Sequence, residues 1–138
     1  MAPGGGRPAG GRGLKIDARH VVARRQAERR ALVGRAEGFA AALDADLKVL
    51  AIVVFGSVAR GDFNLWSDVD VLVVLGEVDD RRVGEVRSAG REVGLVEPVV
   101  WSAAQLRAQL ARHDPIAIES VERGIWLVGA AADLVRTQ

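Results

Sequence analysis

Two short runs of apolar, mostly β-branched residues stand out in the hydrophobic pattern of the chain. The first covers residues 48–55 and the second covers residues 68–75. Because neither run alternates with polar residues, each predicts a strand that is buried on both faces. A third strand is expected over residues 95–101, and a short last strand over residues 125–128, after which the chain is expected to fray.

A long helix is expected before the first strand. Residues 17–47 are rich in Ala, Arg, Glu and Leu, and their apolar positions are spaced to form a helical stripe. Gly34 and Gly38 are expected to weaken this helix or divide it. Residues 1–14 are rich in Gly and Pro and predict a disordered tail, so the folded domain is expected to span residues 15–138.

The other helices are predicted between and after the later strands. Residues 79–93 form one, and residues 103–112 form another with Ser102 as its N-cap. Pro115 stands where a further helix can begin, and Gly124 where it can end. The order of elements predicts one α/β (α+β) domain, with a small mixed β-sheet backed by helices.

Composition narrows the chemistry that this domain can carry. The 138 residues include no cysteine, which excludes disulfides and thiolate metal sites, and the two histidines have no zinc-ligand spacing. Any metal must therefore be a hard ion held by oxygen atoms. Because the longest apolar run is too short for a membrane span and no signal peptide is visible, we expect a soluble cytoplasmic protein.

The net charge of +1 hides an uneven distribution. Residues 1–35 contain nine Arg and Lys against two acids, whereas residues 36–138 contain ten against sixteen. A basic segment of this kind can contact nucleic acid or an acidic partner. Because no aromatic residues lie among the arginines to stack on bases, we favour the alternative of an Arg-rich helix face exposed to solvent.

A Gly-Ser turn and a pair of acids carry the candidate chemistry. Gly56 and Ser57 form the turn after the first buried strand, where Gly lets a phosphate approach the backbone and Ser offers a hydroxyl. Asp68 and Asp70 form the acid pair at the start of the second strand. Residues two apart on a strand point to the same side, with Cα atoms roughly 7 Å apart, so both can face one ligand. The pattern suits Mg²⁺ bound to a triphosphate.

The Gly-Ser turn, the ten residues after it and the acid pair together resemble the signature of the DNA polymerase beta-like nucleotidyltransferases. They are most similar to the small members called minimal nucleotidyltransferases. Arg60, Gly61 and Ser67, which lie within the ten-residue gap, also look like that family. The resemblance implies the nucleotidyltransferase fold, with the active site on one face of its sheet.

The resemblance implies roles for the nucleotide-binding residues. Gly56 and Ser57 would hold the β- and γ-phosphates, although Ser57 suits a helix cap as well. Arg60 would pair with the triphosphate, or else it is a surface residue that pairs with Asp62. Trp66, between the turn and the acids, suits either a base-stacking role or a packing lid.

Asp68 and Asp70 would be ligands of a two-ion Mg²⁺ site, as the resemblance implies. The third acid of that family comes from a neighbouring strand, and Glu97 is the candidate here. Glu97 is one methylene longer than the family's usual Asp, and Pro98 after it predicts a sheet edge or a bulge. Alternatively, Glu97 is a charged residue on a solvated edge of the sheet. Asp68 and Asp70 could likewise have a structural role.

The leading hypothesis is an Mg²⁺-dependent enzyme that transfers a nucleotide, AMP from ATP, to an acceptor hydroxyl. By resemblance, the acceptor would lie on a partner protein, a helical toxin of the HEPN class, which makes this chain an antitoxin. The rival hypothesis is a catalytically weak nucleotide-binding module that acts by contact. A subunit that modifies nucleic acid is the least favoured, and homo- and hetero-oligomers both remain open.

Overall fold

The computed structural model describes residues 17–135, so the tail predicted for residues 1–14 lies outside the described part. A 3₁₀ turn at Ala45–Leu47 follows the first helix. The helices are α1 (Ala18–Ala42), α2 (Gly56–Arg60), α3 (Asp80–Val93), α4 (Ala103–Ala111), α5 (Pro115–Arg123) and α6 (Ala131–Val135), and the strands are β1 (Val49–Phe55), β2 (Val69–Leu75), β3 (Val96–Ser102) and β4 (Ile125–Val128).

The four strands form one mixed sheet in the order β3-β2-β1-β4. β1 pairs antiparallel with both β2 and β4, whereas β2 pairs parallel with β3. The central strands β1 and β2 consist almost entirely of buried apolar residues, as their unbroken hydrophobic runs predict. The predicted fold class, a small mixed sheet backed by helices, is confirmed.

Helices cover both faces of the sheet and create two separate cores. On one face α1 and α3 pack over a core that includes Phe39, Ile52 and Val71. On the other face α4 and α5 pack over a core that includes Val53 and Leu72. The sheet is thus the middle of three layers, and alternate residues of β1 and β2 serve opposite cores.

Helix α1 runs unbroken for 25 residues, so the expected division at its glycines is wrong. Leu32, Ala36 and Phe39 form a buried stripe at helical spacing, and this packing holds the helix together. Gly34 and Gly38 lie on its exposed side, where a Cβ would meet nothing within 4 Å. No helix of the described residues is long and apolar enough to cross a membrane.

The structure decides two predictions, one about the end of the chain and one about the edge of the sheet. The expected fraying after β4 is wrong, because α6 follows and buries Leu134. Arg107 on α4 donates a hydrogen bond to the Leu134 carbonyl at 3.1 Å, which ties α6 to the second core. Pro98 lies in β3, an edge strand that pairs with β2 without a bulge, so the edge alternative is confirmed.

Two arginines of α1 bind the backbone at the end of α2. Arg29 donates through Nε to the Val58 carbonyl at 2.9 Å and through Nη2 to the Ala59 carbonyl. Arg25 donates through Nη2 to the carbonyls of the next loop, and its guanidinium lies 3.8 Å from the centre of the Phe63 ring. These arginines satisfy carbonyls that a helix end leaves without partners. Part of the basic segment is therefore structural.

We expect Arg29→Met to lower the free energy of unfolding by about 1.5–3 kcal/mol, because charge-assisted bonds to half-buried carbonyls are lost. Arg30→Met is the matched control, since Arg30 is exposed on the same helix. Urea unfolding followed by circular dichroism measures both variants. Equal stability of the two variants would show that the contacts to α2 contribute nothing.

Candidate active site

The register of β2 brings Asp70 and Glu97 together. Asp70 lies opposite Glu97 of the parallel strand β3 and opposite Phe55 of the antiparallel strand β1. Residues that are opposite each other on neighbouring strands point to the same face, and neighbouring strands lie about 4.8 Å apart. Two of the three predicted acids therefore share the sheet face that α4 and α5 cover.

Asp68 precedes β2 by one residue and is exposed. The N–H of Val69 donates to the Leu95 carbonyl at 2.8 Å, which fixes the start of the strand beside Asp68. Burial raises the pKa of Asp70 above its ordinary value, and the negative charges of Asp68 and then Glu97 raise that pKa further. Asp68 and Glu97 thus both lie near enough to act electrostatically on Asp70.

The acids do not form a complete metal cage by themselves. Within residues 17–135, no group of three or more His, Cys, Asp and Glu side chains is arranged to hold a metal ion. Mg²⁺ in nucleotide enzymes is usually bound by one or two carboxylates together with substrate phosphates. The oxygen atoms of Asp68, Asp70 and Glu97 suit that shared type of coordination, in which the nucleotide supplies ligands.

Gly56 lies directly against the carboxylate of Asp70. A Cβ added at Gly56 would be 2.3 Å from Asp70 Oδ2, which is closer than side-chain atoms can approach. Gly56 also has a φ of 75°, in the left-handed region that favours glycine. The Gly-Ser turn and the acid pair, ten residues apart in sequence, are therefore in contact, and only glycine fits between the turn and the acid.

Ser57 is the second residue of α2 and does not cap it. The N-cap is Phe55, and no side chain caps the helix. The Ser57 carbonyl accepts hydrogen bonds from the N–H groups of Gly61 and Asp62, at 2.8 and 3.1 Å, which closes the short helix. No hydrogen bond of the Ser57 hydroxyl occurs among the described residues, so the cap alternative is wrong and the hydroxyl is available to a ligand.

Arg60 at the end of α2 pairs with two carboxylates. Its Nε lies 3.2 Å from Asp62 Oδ2, so the predicted pair with Asp62 is present. Its Nη1 lies 2.6 Å from Glu119 Oε2 on α5, a partner that the sequence did not indicate. Hydrogen bonds with Glu119 and then Asp62 raise the pKa of Arg60 above its ordinary value, so its charge is permanent.

Trp66 is the most exposed large apolar residue described, with 86% of its surface accessible. Its backbone N–H donates to Asn64 Oδ1 at 2.9 Å, while the Asn64 N–H donates to Ser67 Oγ at 3.1 Å. These bonds form an Asx turn, a compact local structure that holds the indole outward. The packing-lid alternative is wrong, and the ring is free to contact a ligand or partner beside Asp68.

A cleft of about 700 Å³ opens between α2 and α5, next to the acids but not including them. Its size lies within the range of sites for small molecules. Arg60 forms part of its wall, and the negative charge of Glu119 in the same wall reaches Asp70. The remaining lining residues are His113, Pro115, Ile118, Glu122 and Arg123.

The fold and the site together define a mixed α+β domain with acids and a Gly-Ser turn at one end of its sheet. Residues 37–127 match the model of a protein family described as a nucleotidyltransferase domain. This match covers more than half of the chain, so the chain belongs to that family. Family membership supports a nucleotidyl transfer function and confirms the resemblance that the sequence motifs indicate.

A solved structure supports the fold independently. The chain is similar to a protein from Sulfolobus solfataricus whose crystal structure at 1.40 Å resolution is described as that of a "putative nucleotidyltransferase". The match has a TM-score of 0.50 at 18% sequence identity and covers 74% of this chain and 84% of the other. No curated protein sequence matches the chain significantly. At this identity the similarity concerns the fold alone.

We expect Gly56→Ala to lower the free energy of unfolding by about 1–3 kcal/mol, since the new Cβ strains a left-handed backbone and displaces the Asp70 carboxylate. Gly34→Ala is the matched control, because its Cβ meets no atom in an exposed helix position. That control should gain about 0.5–1 kcal/mol. Chemical unfolding curves of both variants test the contact, and a neutral Gly56→Ala would contradict it.

Proposed function

We propose that this protein is an Mg²⁺-dependent nucleotidyltransferase that transfers AMP from ATP to an acceptor hydroxyl. The observation that carries the proposal is the contact of three elements around Asp70. Its carboxylate touches Gly56 of the phosphate-binding turn and lies in register with Glu97 of β3. Family membership supports the reaction type, and the contact supports a role for these residues in it.

Asp68, Asp70 and Glu97 would hold the cation. Burial raises the pKa of Asp70 and the negative charges of Asp68 and Glu97 raise it further, so the ionised form of Asp70 is unfavourable in the absence of positive charge. When bound, Mg²⁺ neutralises this charge and stabilises the developing charge on the attacking and leaving oxygens. The proposal thus explains why three acids stand together where their charges otherwise oppose folding.

Three residues of the short helix would bind the triphosphate. Gly56 brings the backbone of the turn against the Asp70 carboxylate, so its N–H would lie near the phosphates of a nucleotide bound through a cation at that carboxylate. The Ser57 hydroxyl does not cap the helix and would be available to the same phosphates. Arg60 follows one helical turn later and carries a permanent positive charge. These groups would orient the β- and γ-phosphates so that the bond between the α-phosphorus and the bridging oxygen lies at the acids.

The reaction exchanges one phosphorus–oxygen bond for another. The acceptor oxygen attacks the α-phosphorus of ATP, and the bond from that phosphorus to the bridging oxygen of pyrophosphate breaks. Pyrophosphate leaves with the electron pair, and the acceptor is joined to AMP. In this proposal Glu97 would receive the acceptor's proton.

We propose a protein as the acceptor, and specifically a helical partner toxin of the HEPN class. Asp68 and Glu97 are both exposed, so a large acceptor can reach them. Leu65 and Trp66, in the loop that precedes Asp68, have 53% and 86% of their surfaces accessible, and exposed aromatic residues are typical anchors of protein interfaces. Incubation with α-³²P-labelled ATP, Mg²⁺ and a purified HEPN-type partner would test this through label on the partner.

We expect Asp70→Asn to reduce nucleotide transfer at least tenfold, a loss of about 1.4 kcal/mol or more of transition-state stabilisation. The substitution removes a charged ligand and keeps the side-chain volume. Asp133→Asn, at an exposed position of α6, is the control with the same charge change. Retention of more than a tenth of the wild-type rate by Asp70→Asn would refute its role.

The Asp70→Asn variant should be more stable than the wild type at neutral pH. Because the pKa of Asp70 is raised by folding, the folded state holds a proton that the unfolded state has already released. Stability is therefore lost as the pH rises from the ordinary Asp pKa through the raised one. Asp70→Asn removes this loss, so melting curves should coincide at low pH and separate above it.

The second candidate function is a nucleotide-binding module with little or no transfer, and the exposed edge position of Glu97 favours it.

We expect Glu97→Gln to reduce transfer by at least about 10²-fold, of order 3 kcal/mol, if Glu97 takes the acceptor's proton. The stabilisation of the protein by Mg²⁺-ATP should persist in this variant and exceed that by Mg²⁺-AMP. ATP binding without transfer by the wild type would support the module instead.

A further inference from the structure

The Arg60 side chain is held between two carboxylates from different parts of the chain. Asp62 belongs to the loop directly after α2, whereas Glu119 lies on α5, 59 positions after Arg60. The 2.6 Å contact from Arg60 Nη1 to Glu119 is the shorter of the two. This pair is the direct ionic link between the predicted phosphate-binding helix and α5.

Glu119 is better placed than Asp62 to hold Arg60 firmly. The side chain of Glu119 is 22% exposed, compared with 63% for Asp62. Helix α5 packs against both α2 and the central strand β1, so Glu119 projects from a rigid support. A partly buried carboxylate on a packed helix restricts a guanidinium more than an exposed loop carboxylate does.

The contacts of Arg60 leave part of its guanidinium available. Asp62 and Glu119 accept from Nε and Nη1, and Nη2 donates no hydrogen bond among residues 17–135. Arginine loses considerable rotamer entropy when it binds a ligand, and prior immobilisation removes part of that cost. The two carboxylates therefore fix a cation that still has N–H groups to offer to phosphate oxygens.

We propose that Glu119 is a positioning residue for Arg60: it holds the guanidinium ready to bind the polyphosphate of the nucleotide. This inference rests on the proposed function, because Arg60 must contact the triphosphate for its position to matter. In the alternative, Glu119 competes with the phosphates for Arg60 and weakens their binding. Substitution of Glu119 would lower the affinity for the nucleotide if Glu119 positions Arg60, and would raise it if Glu119 competes.

The test is calorimetric binding of Mg²⁺-ATP and of Mg²⁺-tripolyphosphate to the full chain. We expect Glu119→Gln to raise the dissociation constant about fivefold or more for both ligands, because the lost contact acts on phosphates alone. Glu92→Gln is the control with the same charge change: Glu92 is exposed on α3, does not line the cleft of Arg60 and makes no ion pair among the described residues. Its affinities should equal those of the wild type.

A double-mutant cycle separates positioning from a general structural effect. In an Arg60→Ala background, Glu119→Gln should cause no further loss of affinity, because it acts through Arg60. Unchanged or tighter binding by Glu119→Gln would overturn the proposal, and so would an equal loss in the Arg60→Ala background. These outcomes concern binding, whereas failure of the proposed function would appear as absence of labelled acceptor with the wild-type protein.

Discussion

The register of β2 against its two neighbours is the constraint on which the rest of the site depends. It places Asp70 opposite both Phe55 and Glu97 and brings Gly56, the next residue after β1, against the Asp70 carboxylate. A slip of one residue would turn every side chain of β2 to the other face. Because both faces of β2 are buried in apolar cores, such a slip would also disturb both cores.

The same cores compensate for an unfavourable concentration of negative charge. Burial raises the pKa of Asp70 and repulsion by Asp68 and Glu97 raises it further, so folding opposes the ionisation of this carboxyl. The apolar residues of β1 and β2 continue on either side of the sheet and stabilise the fold against this repulsion. Functional sites often retain groups that lower stability because the ligand, rather than the fold, requires them.

The local sequence pattern predicted most of the fold, and two of the motif residues that it singled out, Gly56 and Asp70, lie in contact. Strand limits agree within one residue, since unbroken apolar runs with turn residues at their ends are local signals. Helix α6 has only five residues, too few for a visible period. The partner of Arg60 could not be predicted, because Glu119 is distant in sequence and ordinary in its local pattern. Contacts of this kind depend on the packing of helices, which periodicity does not describe.

The arginine contacts change the interpretation of the charge distribution. The excess of positive charge near the start of the chain suggested either a solvent-exposed face or a nucleic-acid contact, yet Arg25 and Arg29 bind carbonyls at the end of α2. On the opposite side Glu119 binds Arg60 of the same short helix. A five-residue helix has little stability of its own. Hydrogen bonds from the arginines of α1 and the ion pair with Glu119 of α5 therefore fix the segment that carries the Gly-Ser turn, against which the Asp70 carboxylate lies.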